Sequence, residues 1–202
     1  MNKLGKIFIG LGSILLIFSV FLIIFYKYED NKASLASKEI LTLIEENLDK
    51  EFEEKQTNNL VSNMSNQTNL KMEAININGN DYIGTISIPK LNLTLPLNSE
   101  FNYDDLKLAP CIYYGSILTN DLVICGHSYK AHFKYLNTLN QSDIIIITDT
   151  NNNHYLYEVL EVEVLESNDV LEMIDNDFDL TLYTCTPDST RRITVRCNRI
   201  YE

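Results

Sequence analysis

A cysteine, an arginine and a histidine stand in this sequence where strand ends would expose them. Cys185 closes the run Leu180-Thr181-Leu182-Tyr183-Thr184-Cys185, whose apolar and polar residues alternate with the period of a half-buried strand. Pro187 then turns Thr186-Pro187-Asp188-Ser189 into a loop, because it pushes its predecessor out of helical geometry. Arg192 opens a second alternating run, Ile193-Thr194-Val195-Arg196-Cys197. If the two runs pair, a thiol and a guanidinium share one end of a sheet, where a nucleophile and an oxyanion donor can face one carbonyl. Taken alone, a cysteine in an apolar strand is more often a small buried hydrophobe. A third group shifts that balance. Asp121–Ser128 reads as a strand ending in Gly126-His127, which leaves an imidazole at a strand terminus beside a glycine that permits close backbone approach.

Other residues compete for these roles. His132 follows His127 at the start of a predicted short helix and could flank a groove, whereas His154 lies in an Asn-rich turn and reads as solvated surface. Arg191 and Arg192 are adjacent, so in a strand they point to opposite faces and only one can join the thiol. Cys111, Cys125 and Cys197 read as core residues; a disulfide among them is open, and the sequence fixes no pairing.

Gly126-His127, the pentapeptide Thr181-Leu182-Tyr183-Thr184-Cys185 and Arg192-Ile193-Thr194-Val195-Arg196 together resemble the sortase family, the membrane-anchored cysteine transpeptidases of Gram-positive bacteria. The likeness extends over about residues 81–202. Ile83–Leu91 is similar to the first barrel strands of sortases, and Phe133, Leu136 and Leu139 also match. The resemblance implies Cys185 as nucleophile, His127 as general acid and base, Arg192 as the oxyanion or carbonyl donor, and Thr184 as a residue that helps hold the substrate. Its substrate would be a C-terminal, LPxTG-like sorting signal of secreted proteins, transferred through a thioester to an amine acceptor of the peptidoglycan precursor.

No cofactor is implied. Some relatives take Ca²⁺ near the groove, for which Asp143, Glu161, Glu163 and Glu166 could supply oxygens, against the plainer reading of a solvated acidic face. Two alternatives stay open: a pilin-polymerising sortase, or a membrane-anchored cysteine peptidase with water as acceptor. Pilin-type members carry an Asp-Pro-aromatic lid, yet Pro89, Pro96 and Pro110 are none of them preceded by Asp. The stretch from Tyr155 to Leu180 is too brief for the helical insertion of haem-protein-anchoring sortases. A general anchoring or class D-like type is therefore expected.

The elements that must position these groups follow from the rest of the chain. Its 202 residues carry a net charge of −12, which argues against a nucleic-acid partner. No Walker A, GxGxxG or CxxC pattern is present to carry a nucleotide or zinc site. Ile7–Tyr26 is an uninterrupted apolar, Gly and Ser run, long enough at about 1.5 Å per residue to cross a hydrocarbon core of roughly 30 Å. Lys3 and Lys6 precede it and Glu29 and Asp30 follow, so an uncleaved anchor with a cytoplasmic N-terminus and an extracellular catalytic domain is expected over a cleaved signal peptide. Leu35, Leu41, Ile44, Leu48 and Phe52 recur at helical spacing, predicting a solvated stalk helix over Ser34 to about Gln56, with only a loose cap signal at Ser37. Thr57–Asp81 is rich in Asn, Ser and Gln and reads as a spacer.

The expected division is thus an anchor at 1–28, a helical stalk and linker at 29–80, and a catalytic domain at 81–202. Strands are predicted at Tyr82–Ile88, Leu91–Pro96, Leu122–Cys125, Ile144–Asp149, Tyr155–Ser167, Leu180–Cys185 and Arg192–Arg199, with short helices at Tyr103–Lys107, His132–Leu139 and Asp169–Ile174. The fold class is mainly β, and the resemblance selects a closed barrel of seven or eight strands over a sandwich.

Overall fold

The structure, a computed structural model, describes residues 3–57 and 72–201. Most of the Asn-rich spacer, 58–71, lies outside the described residues. The chain forms two compact units, Met1–Lys32 and Ala33–Glu202. Helix α1 (Lys3–Thr57) supplies the first unit and the start of the second. In the first, the large apolar side chains from Ile7 to Tyr26 are exposed on every face of the helix. This is the one helix among the described residues long and apolar enough to cross a membrane, and such a surface fits a lipid anchor.

The second unit is a closed β-barrel. Its strands are β1 (Ile75–Ile77), β2 (Asn80–Ile88), β3 (Leu93–Asn98), β4 (Cys111–Tyr114), β5 (Leu122–Cys125), β6 (Ile144–Asp149), β7 (His154–Glu166), β8 (Leu180–Cys185) and β9 (Arg191–Arg199). A short helix, α2 (Val170–Ile174), lies between β7 and β8. The sheet order β1-β2-β3-β4-β5-β8-β9-β7-β6 closes through antiparallel pairing of β6 with β2, making a ring of eight strands with β1 attached outside. Closure depends on Gly84. Its φ of +138° belongs to a region that side chains rarely adopt, it sits at the irregularity in the β2–β3 register, and a Cβ there would overlap the Thr148 carbonyl of β6.

Period-two alternation decides which side chains fill the ring. Ile86, Ile88, Leu95, Leu97, Leu122, Ile124, Ile145, Ile147, Leu180, Leu182 and Val195 point inward, and Phe133, Leu136 and Leu139 pack against the same core. The expected helix over His132–Leu139 reduces to one tight turn at Leu136–Thr138, since residues 130–135 form turns and Phe133 N donates back to His127 O.

The second unit also differs from the expected solvated stalk. Ala33, Ser37, Ile40 and Ile44 are buried, and Ile40 and Ile44 pack with Ile77, Tyr82 and Ala109. Their four-three-four spacing is one helical face. Leu35, an expected apolar position, is exposed instead. Ser37 is in mid-helix and caps nothing.

Candidate active site

Strands β5 and β8 run parallel and end side by side, with Cys125 level with Tyr183. The next residues are Gly126-His127 on one strand and Thr184-Cys185 on the other, so imidazole and thiol follow corresponding strand ends. Two bonds lock the ends together: Gly126 N donates to Tyr183 O at 3.1 Å, and Thr184 Oγ1 donates to Gly126 O at 2.8 Å. Thr184 is fully buried, and its hydroxyl proton is committed to this tie.

Antiparallel β9 adds the third group. In the β8–β9 register Cys185 faces Arg192, Tyr183 faces Thr194 and Thr181 faces Arg196. Directly opposed residues share a face, so the thiol and the Arg192 guanidinium project from the same side of the wall. Arg191 has the opposite parity. The intervening loop is tightly bonded. Thr186 N donates to Arg191 O at 3.0 Å and Arg191 N to Thr186 Oγ1 at 3.1 Å, while Asp188 accepts from Thr186 and Thr190 hydroxyls. Those donors hold the Asp188 carboxyl at about 2. Arg192 Nη1 donates to Arg191 O at 3.1 Å and Ser189 O at 3.5 Å, so its guanidinium rests on this loop.

His127 is half-buried. Burial first, and the positive charge of Lys107 second, hold its imidazole below the usual histidine range. Its ring lies 4.7 Å from that of Tyr129, and its carbonyl accepts from Phe133 N at 3.0 Å. Gly126 is required beside it, because a Cβ there would come within 2.5 Å of the Phe133 ring.

A cleft of about 310 Å³ opens next to Arg192 and Tyr183, walled by Phe101, Tyr113, Val170 and Met173. That size suits a bound peptide segment. Its aromatic wall is continuous: ring centroids are 5.1 Å apart for Phe101–Tyr103, 5.6 Å for Phe101–Tyr113 and 5.5 Å for Tyr113–Tyr183. A second recess of about 350 Å³, lined by Asp81, Asn98, Glu100 and Asp105, is polar and lacks the cysteine's neighbours, so the aromatic cleft is the better substrate candidate.

Residues 86–200, more than half of the chain, match the sortase domain family. The chain belongs to the sortase family. No curated protein sequence matches it. Among solved structures it is similar to sortase A from Corynebacterium diphtheriae, at 28% identity and a TM-score of 0.55, covering 61% of this chain and 62% of that one. It thus spans less than two thirds of that relative's length. A sortase D5 transpeptidase from Clostridium perfringens gives 22% identity and a TM-score of 0.58 over 82% of this chain and 99% of that one. Sortase C from Streptococcus pneumoniae gives 20% and 0.59 over 81% and 97%. At those identities the last two show the fold alone.

The remaining candidates of this sortase fall elsewhere. His154 is exposed and within 3.0 Å of Thr148 Oγ1, on the far strands of the barrel. His132 is buried and bonded to Ser37. All four cysteines are free; burial pushes the Cys111 and Cys125 thiols up to about 12 and Cys197 higher still, which keeps all three protonated and inert. Among the described residues no three His, Cys, Asp or Glu side chains gather to hold a metal ion. Of the acidic residues named for Ca²⁺, Glu163 is paired with Arg196 at 2.7 Å and Asp143 lies 3.7 Å from Lys90.

Arg196 is buried, donating to Glu163, to Thr181 Oγ1 at 3.0 Å and to Glu172 O at 2.7 Å, which ties α2 to the β8–β9 wall. Nothing in the residue pattern signals this role, nor that of Phe101 and Tyr113 as cleft residues. Their only signal is the aromatic density of residues 101–114, which has no period.

Proposed function

We propose that this sortase is a cysteine transpeptidase that cleaves an LPxTG-like C-terminal sorting signal of secreted proteins and passes the acyl group to an amine of the cell wall precursor. The observation that carries the reading is the face-to-face register of Cys185 and Arg192 beside the strand end that bears His127. In the first half-reaction Cys185 Sγ bonds to the scissile carbonyl carbon, and the C–N bond breaks as the thiol's proton reaches the leaving amine through His127. Arg192, released from the loop carbonyls, donates to the tetrahedral oxyanion. In the second, the acceptor amine attacks the thioester, the C–S bond breaks, and the amine's proton returns to sulfur by the same imidazole. Thr184 supports the substrate site by fixing the spacing of the two strand ends.

The His127 imidazole, held below the usual range, rests neutral at neutral pH and is ready to accept a proton. The aromatic cleft takes the apolar part of the signal. A general anchoring or class D-like type fits, since the prolines before Cys111 lack the Asp-Pro lid motif. The catalytic unit is read as lying outside the cell, supported by Lys3 and Lys6 on one side of the apolar run and Glu29 and Asp30 on the other. An LPxTG-like peptide incubated with and without an added amine tests the reading. Ligated product that requires the amine, abolished in Cys185→Ala, supports it. Acid product alone would make the protein a peptidase, and no turnover of any sorting peptide would end the proposal.

A further inference from the structure

Among the described residues, the buried face of α1 carries one polar residue. Ala33, Ile40 and Ile44 are what a helix facing a core should present, but Ser37 between them is 3% exposed and offers a hydroxyl where an apolar group would bury more readily. Hydroxyls inside a helix ordinarily return to the carbonyl four residues back, and two others in α1 do so: Ser13 to Ile9 O at 2.9 Å and Thr42 to Lys38 O at 3.1 Å. Ser37 instead reaches out of its helix and donates to Leu108 O at 2.6 Å. A hydroxyl has one proton, and a carbonyl can only accept. The 3.1 Å contact between Ser37 Oγ and His132 Nε2 therefore has the imidazole as donor, which fixes the Nε2–H of His132 on Ser37.

His132 is itself 1% exposed, and its environment leads to the reacting groups. Its amide donates to Tyr129 O at 3.0 Å, and its ring lies 5.6 Å from the Tyr129 ring, tilted by 52°. On its other side Tyr129 lies 4.7 Å from His127, tilted by 33°. Phe133, the next residue, donates to His127 O at 3.0 Å. A continuous path of hydrogen bonds and tilted ring contacts thus runs from Ser37 through His132 and Tyr129 to His127.

We propose that Ser37 and His132 are positioning residues for His127: the membrane-proximal helix, by fixing the His132 ring, sets the Tyr129 ring against which the reacting imidazole is oriented. The proposal rests on His127 as the proton carrier of the reaction above. It gives Ser37 of the stalk helix a positioning role, beside the helix's role as a tether.

The test uses the full-length protein in detergent or vesicles, measuring thioester formation on Cys185 with a sorting peptide across pH. Ser37→Ala and His132→Leu are expected to slow acylation about tenfold or more, with KM changed less than about twofold and the acid limb of the pH–rate profile displaced. His132→Gln, which keeps a donor at the Nε2 position and a planar amide to pack on the Tyr129 ring, retains most of the rate. Ile40→Ala weakens the same helix contact without touching the hydrogen-bonded path; it lowers the melting temperature and leaves rate and profile near wild type. Wild-type rate and profile in Ser37→Ala, a His132→Gln as slow as His132→Leu, or an Ile40→Ala as slow as Ser37→Ala would each overturn the positioning role. His127→Ala in the same series separates the two readings. If it keeps the wild-type rate, the proton-carrier assignment fails and the positioning role with it; if it loses the rate while Ser37→Ala does not, only the positioning role fails.

Discussion

Cys185 and Arg192 are direct partners across the β8–β9 ladder, while Arg191, one residue earlier, has the opposite parity and is exposed. The register therefore separates two arginines that composition cannot. Loss of an oxyanion donor costs about 10²–10³ in rate. A lysine at 192 keeps the charge but loses the planar fork. Arg192→Lys should slow acylation by roughly 100-fold, and Arg191→Lys by no more than about twofold, in parallel steady-state kinetics. The opposite ranking would mean that the loop carbonyls now holding Arg192 are its permanent partners.

Thr184 ties β8 to the residue before His127 through a buried bond to Gly126 O. Valine has nearly the same shape and no donor, so Thr184→Val leaves that carbonyl unmatched, at about 1–3 kcal/mol. Acylation should fall about tenfold, because the two strand ends lose their fixed spacing. Thr184→Ser keeps the hydroxyl and should recover both the denaturation midpoint and the rate. A valine variant as active as wild type would show that the backbone bond from Gly126 to Tyr183 suffices.

Arg196 holds α2, and with it one wall of the aromatic cleft, through Glu172 O. Removing one member of a buried, bonded charge pair costs about 3–5 kcal/mol, and the partial exposure of Glu163 puts this pair toward the lower end. Arg196→Met should lower the melting temperature by several degrees. Its kinetic signature should lie mainly in KM for the peptide, since Met173 and Val170 lose their backing while Cys185 and His127 keep theirs. A fall in kcat with KM unchanged would place the effect in the β8–β9 ladder instead.

The barrel was legible where a strand carries a run of apolar β-formers or a clear alternation: β5 and β6 fall on apolar runs and β8 on the period-two pattern. Two strands were not. Ile75–Ile77 is too short to show a period, and it becomes a strand by pairing with Tyr82, Asp81 and Asn80. Cys111–Tyr114 meets β3 at a single register pair, Asn98 with Cys111, and owes its form mainly to β5. The face of α1 was misread for a different reason. Its contact stripe uses Ala33 and Ser37, small residues that a hydrophobic period passes over in favour of Leu35. Motif and strand ends indicated Cys185, His127 and Arg192, but the shared face of Cys185 and Arg192 required the register. The cleft walls, assembled from residues 101–113 and 166–173, come from segments without periodicity.

The pH behaviour of His127 follows from its two causes. Burial and then Lys107 both disfavour the imidazolium, so the folded-state value lies below the unfolded one, about 6.5 for a free histidine. Above that unfolded value both states are neutral at this site. As pH falls below it the unfolded chain takes the proton first, so stability is lost progressively down through the folded value and is level again beneath it. Lys107→Gln removes the second cause and leaves the larger one. The His127 titration should then move up without reaching the ordinary value, the window of acid-induced stability loss should narrow, and the acid limb of the acylation profile should follow it upward. Lys107 is about half exposed, with Asp104 2.7 Å away, so its influence crosses solvent and should fade in 1 M salt, where the screening length is about 3 Å. An NMR titration of the imidazole at low and high salt checks each step. A wild-type shift that persists unchanged at high salt would assign the depression to burial alone, and a His127 titrating above 6.5 would contradict both causes.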